Sequence, residues 1–113
     1  MRFMKHLYVG ENAERVKTRI LRSIHRRKPQ ADAYVIIPAL NPADQLDILH
    51  ANFLLQPLYQ RQEDLVILGI AESKREAVNL ILRITDDCLR DSGSPDLKAY
   101  LSRRVREEGT EEI

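Results

Sequence analysis

His6, His25, His50 and Cys88 are the side chains of this chain best suited to metal binding or nucleophilic chemistry. A zinc-type site needs three or four such ligands, two of them at i, i+4 spacing when they share a helix. No pair of these histidines has that spacing, and a single Cys cannot supply a cluster. The lone thiol also excludes a disulfide framework, and cytoplasmic residence is the default reading. Cys88 falls among apolar residues with no histidine placed to activate it, so it reads as a small core hydrophobe. His50 follows Asp47 by three residues, and a local hydrogen bond is the simplest use of that pair. The patterns GxGxxG, GxxxxGKS/T and GxSxG are absent, and four glycines leave little for a phosphate cradle. No catalytic residue, metal or cofactor is expected, and the reading leans away from an enzyme.

Two groups of polar residues remain as binding candidates. Gly10-Glu11-Asn12, Asn41-Pro42-Ala43-Asp44 and Glu72-Ser73 each lead from an apolar run into a helix start. Ligands of open parallel sheets bind at such strand ends, where helix amides favour anions. Glu11, Asn12, Asn41, Asp44, Glu72 and Ser73 are therefore the candidate ligand residues, although capping accounts for most of them equally well. Arg15, Arg19, Arg22 and Arg26 form the second group. At about 100° per residue they occupy a sector roughly 60° wide, opposite Ala13, Val16, Ile20 and Ile24. Such a stripe can track phosphates, and it is also what the wet face of an amphipathic helix looks like. Residues 1–40 carry nine basic against three acidic side chains, and residues 41–113 nine against fourteen. Gly-rich phosphate loops are missing and the total charge is near zero, so nucleic acid is the lesser alternative.

The elements that must position these residues alternate. Leu7-Tyr8-Val9, Ala33–Ile37 and Leu65–Ala71 read as strands, the second ended by Pro38, which has no amide hydrogen. Helices are expected from Ala13 to Arg27, from Asn41 to about Gln56, from Ser73 to about Asp91, and after Ser94-Pro95-Asp96. Ser73 and Glu76 have the spacing of a capping box, and Gly93 that of a helix stop. The expected fold class is α/β: a small three-stranded parallel sheet in the order β-α-β-α-β-α-α. That alternation resembles flavodoxin-like modules and the sugar-transport phosphocarrier domains in topology. No phosphorylatable His or Cys occupies the loop after the first strand, so the resemblance extends to topology alone. Residues 1–107 are expected as one domain, and 108–113 as an acidic, disordered tail.

The segment Asn41–Gln56 is apolar on two helical faces: Leu46, Leu49 and Phe53 on one, Ile48, Ala51 and Leu55 on the other. A helix apolar nearly all round needs cover on both sides. Ile48, Ala51, Leu55, Leu58 and Tyr59 are accordingly the candidate interface. The leading expectation is a homodimer acting as a binding or regulatory module, with a protein partner as a further option. No apolar run approaches the roughly 20 residues that span a bilayer, so no membrane partner is expected.

Overall fold

Branched and apolar runs take up extended backbone at five places in the chain. The structure, a computed structural model, describes residues 1–112. The strands are β1 (Arg2–Val9), β2 (Tyr34–Pro38), β3 (Leu46–His50), β4 (Val66–Ala71) and β5 (Thr110–Glu111). They form one sheet in the order β3-β2-β4-β1-β5. The helices are α1 (Lys17–His25), α2 (Pro57–Gln60), α3 (Lys74–Ser92) and α4 (Leu97–Glu108). Single 3₁₀ segments cover Ala13–Val16 and Ala51–Leu55.

Every residue of β4 is buried, because helices cover both faces of the sheet at its centre. Alternation of side chains splits the strands between two cores, with the irregular register between β1 and β4 leaving Ile67 and Ile70, three apart, in the same one. Phe3, Val35, Ile37, Ile67 and Ile70 pack against Ile20, Leu21 and Ile24 of α1. Met4, Tyr8, Ile36, Val66 and Leu68 pack against Ala77, Leu80, Ile84 and Cys88 of α3 and Leu97, Tyr100 and Leu101 of α4.

The chain is α/β as expected, but the sheet is mixed rather than parallel. Among the described residues only β1 and β4 pair in parallel; β2 runs antiparallel to both β3 and β4, and β5 antiparallel to β1. The difference comes from residues 41–50. Asn41 does not start a helix: its Oδ1 accepts from the Ala43 amide at 3.0 Å, and the Asp44 amide donates to the Asn41 carbonyl at 3.1 Å. Those bonds close the turn of a β-hairpin, with Pro42 presetting its φ. Leu46–His50 then returns beside β2, Ile48 opposite Ile36.

The carboxyl-terminal segment also departs from expectation. Gly109, at φ 90°, turns the chain after α4, and Thr110 and Glu111 pair with Met4 and Phe3 where 108–113 is expected as a tail. Ile113 lies outside the described residues. β1 thus sits between β4 and β5. Its polar Lys5 and His6 are accommodated by a bulge, since Met4 to Leu7 pass Leu68 alone.

Candidate functional site

The parallel pair β1 and β4 brings four of the six strand-end residues together. Glu11, Asn12, Ser73 and Glu76 line one shallow depression, with Glu72 beside them. Asn41 and Asp44 lie in the hairpin turn at the opposite end of the sheet, because β2 runs the other way. The amide donors that could receive an anion are already engaged. Glu76 reaches back from the first turn of α3; its Oε1 accepts from the amides of Ala13 and Glu72, both at 3.1 Å, and its Oε2 from Asn12 at 3.0 Å. This carboxylate is 8% exposed. The strand-end junction carries its own internal anion, as the helix-terminus electrostatics demand. Only the Ser73 half of the expected capping box forms, Ser73 Oγ accepting from the Glu76 amide at 3.1 Å.

Facing α3 and α4, Tyr8 centres a second polar cluster. Its hydroxyl donates to Asp87 Oδ2 at 2.5 Å and accepts from Arg104 Nη1 at 2.8 Å. Tyr100 donates to Asp91 Oδ2 at 2.6 Å, and Arg90 bridges Asp87 and Asp91. The Arg104 guanidinium lies 5.4 Å from the Tyr8 ring centroid and 5.7 Å from that of Tyr100. Burial, then the hydrogen bond to Asp87, pushes the Tyr8 phenol above its ordinary range; burial and Asp91 do the same to Tyr100. A phenol held so firmly protonated is a poor base or nucleophile. The cluster works as a clasp between β1, α3 and α4.

The clasp has a pH signature. Unfolded tyrosines ionise near pH 10, whereas the folded chain keeps these two protons. Above about pH 10 the unfolded state therefore binds fewer protons, and stability falls as pH rises. Urea unfolding of the parent between pH 8 and 12 should show that decline. A Tyr8→Phe, Tyr100→Phe double variant should start about 3 kcal/mol lower, from three lost hydrogen bonds of about 1 kcal/mol each, and its decline should be shallower. An equally steep decline in the variant would refute the assignment.

The remaining sequence candidates are dispersed. Arg15, Arg19, Arg22 and Arg26 are all exposed, and among the described residues ion pairs involve only Arg90 and Arg104. Cys88 is buried against α4, its Sγ 3.0 Å from the Ser94 carbonyl. Asp47 and His50 lie on β3, where a three-residue separation puts them on opposite faces. His50 instead caps the following segment, Nδ1 accepting from the Asn52 amide at 3.1 Å and Nε2 lying 2.7 Å from the Ala31 carbonyl. Among the described residues no group of three or more His, Cys, Asp or Glu is placed to hold a metal ion. No described helix is long and apolar enough to cross a membrane.

The interface candidates do not share a helix face. Ala51 is buried in the α1-side core and Tyr59 packs against it, while Leu55 and Leu58 are exposed. Ile48 sits at the middle of β3, the outermost strand. The Ala39 amide donates to Gln45 and the Ala51 amide to Ala33. Bonding alternates along an antiparallel ladder, so Asp47 and Leu49 turn their backbone groups toward β2. Leu46, Ile48 and His50 turn theirs outward, where no described strand pairs with them.

A second apolar surface lies beside this edge. Val78, Leu82 and Leu89 of α3 are 45%, 60% and 46% exposed. With Thr85 they follow the 4-3-4 spacing of a coiled-coil seam, inside a sector about 60° wide. Asp87 and Asp91, on one flank of α3, meet Tyr8 and Tyr100. Ile81, on the other flank, packs into the core that also takes up Leu46 and Ile48. The seam follows directly after Ile81 around the helix, on the side of the open β3 edge. Sequence reasoning missed it because the α3 residues look like one broad apolar face. Comparison with protein-family models, with curated proteins and with solved structures finds no match for this chain.

Proposed function

We propose that the protein is a self-associating binding module, two copies joining through β3. The observation that carries this reading is the open β3 edge, with outward backbone groups beside half-buried Leu46, Ile48 and Leu49. Proteins normally blunt such edges with Lys, Pro or bulges, and β3 has only Asp47. An antiparallel two-fold axis at Ile48 sets Ile48 opposite its own copy, Leu46 opposite His50 and Asp47 opposite Leu49, so no like charges meet. A five-residue strand edge alone falls short of the roughly 800 Å² per partner typical of stable pairs. The same axis places the two α3 helices antiparallel on one face of the extended sheet. Val78 to Leu89 spans about 17 Å of helix and β3 about 17 Å of strand, so both elements end together. A lone buried thiol suits the reducing cytoplasm. The Arg stripe of α1 stays free on the opposite face, and retention on duplex DNA that falls with salt would add a polyanion role to this one.

Sedimentation tests the reading. The parent should run near twice 13.1 kDa. Ile48→Pro removes an outward amide and leaves the bonds to β2 in place, as Pro on an edge strand does; it should be monomeric with its far-UV spectrum retained. Leu49→Pro deletes an amide that faces β2 and should unfold the hairpin. A parent that stays monomeric at millimolar concentration, or an Ile48→Pro variant that stays dimeric, would overturn the proposal.

A further inference from the structure

At the end of the sheet opposite the Glu76 junction, a cleft of about 370 Å³ opens between the starts of β1 and β4, the end of β2, and α4. Val66, Leu68, Leu101 and Val105 make its walls apolar. Its charged side chains are Arg2, Lys98 and Arg106 against a single acid, Asp64. Among the described residues none of the four takes part in an ion pair, and Lys98 Nζ donates to the Asp44 carbonyl at 3.3 Å. Lys98, Leu101, Ser102, Val105 and Arg106 fall at i, i+3, i+4, i+7 and i+8, which is one face of α4. The helix therefore lines the cleft with an apolar strip held between two cations.

Three cations about one apolar cavity repel each other, and an oxyanion placed among them would remove that repulsion. Arginine forks match carboxylate and phosphate oxygens especially well. The volume, at about 30 Å³ per small-molecule heavy atom in a liquid, holds about a dozen non-hydrogen atoms. We propose that this cleft binds a small amphipathic anion, an apolar body of that size ending in a carboxylate or phosphate. An apolar cavity with a few convergent polar groups is the usual form of a small-molecule site. The proposal stands apart from β3 pairing, since the cleft is built by other residues.

The test is an amide-resolved NMR titration of the intact chain with decanoate, decyl phosphate, decanol and decyltrimethylammonium. At least one of the two anions should bind with a dissociation constant on the order of 1 mM, shifting the amides of Leu101 and Val105. Which anion binds more tightly identifies the head group. Decanol and the cation should bind at least about tenfold more weakly, the size of one charge-assisted contact. Lys98→Glu with Arg106→Glu should weaken the anions by at least that factor and leave decanol unchanged. Both positions lie at the surface, so the fold should survive. Val105→Trp, which fills the cleft, should abolish all binding. Decanol binding as tightly as both anions, unchanged anion affinity in the charge-reversed variant, or shifts confined to other parts of the chain would each overturn the proposal.

Discussion

Glu76→Ala is expected to destabilise the fold by about 3–5 kcal/mol, the range for deleting one partner of a buried charged contact. The carboxylate accepts the amides of Asn12, Ala13 and Glu72. Truncation strands three donors at the point where the loops after β1 and β4 meet. Each hydrogen bond to a charged group contributes about 1.5–3 kcal/mol, while the gain from alanine's helix propensity stays below about 1 kcal/mol. Against a typical total of 5–15 kcal/mol, such a loss leaves the chain close to unfolding at 37 °C. Glu76→Gln should recover little, since its NH2 group brings donors to a junction that already has too many. Urea denaturation of the purified variants measures both. A loss under about 1 kcal/mol for Glu76→Ala would mean that water replaces the carboxylate without penalty.

The elements bounded by local chemistry were legible in the sequence. Ser73 caps α3 and Gly93 ends it in the left-handed region at φ 69°; Asp96 caps α4 through the Ala99 amide at 3.0 Å. Their signals act within one turn of chain, and no distant contact competes with them. The segment Asn41–Gln56 was misread for a definite reason. Asn-Pro at a helix start and Asn-Pro in a hairpin turn use the same side-chain bond and the same fixed φ. The two apolar faces of a supposed helix are redistributed: Leu46 and Ile48 share one face of β3, Leu49 takes the other, and a 3₁₀ turn follows. Only pairing with β2, a tertiary event, separates the two readings. That one error converted an antiparallel hairpin into a parallel crossover and moved Asn41 and Asp44 to the wrong end of the sheet.

The strand-end site shows a different kind of blindness. Glu11, Asn12, Glu72 and Ser73 do converge, because β1 and β4 are parallel and their loops must meet. Glu76 was legible only as the local half of a capping box. Its reach across to Asn12 and Ala13 spans more than 60 residues of sequence separation, which no spacing rule can show. Tyr8 was similarly hidden, since Asp87 and Arg104 come from two helices distant in the chain. The open β3 edge could not be read at all until β3 was known to be a strand.

Gly10→Ala should be nearly as damaging as Glu76→Ala, and the two changes together should be far less than additive. Gly10 does not occupy the left-handed region, so alanine is allowed there by the backbone. The obstacle is space: a Cβ at this position would overlap the carboxyl group and Cγ of Glu76. The Gly10 backbone cannot yield easily, since its amide donates to Ile70 at 2.9 Å and its carbonyl accepts from Glu14 at 3.0 Å. The Glu76 side chain must therefore leave its three donors, and the loss should approach about 3 kcal/mol. Once Glu76 is already alanine, the Gly10→Ala methyl enters vacated space and should cost under about 1 kcal/mol. A double-mutant cycle by urea denaturation should thus return a coupling of about 2–3 kcal/mol, at the upper end for residues in contact. Additive losses would show that Gly10 is needed for some other reason, and that Glu76 does not impose glycine at the end of β1.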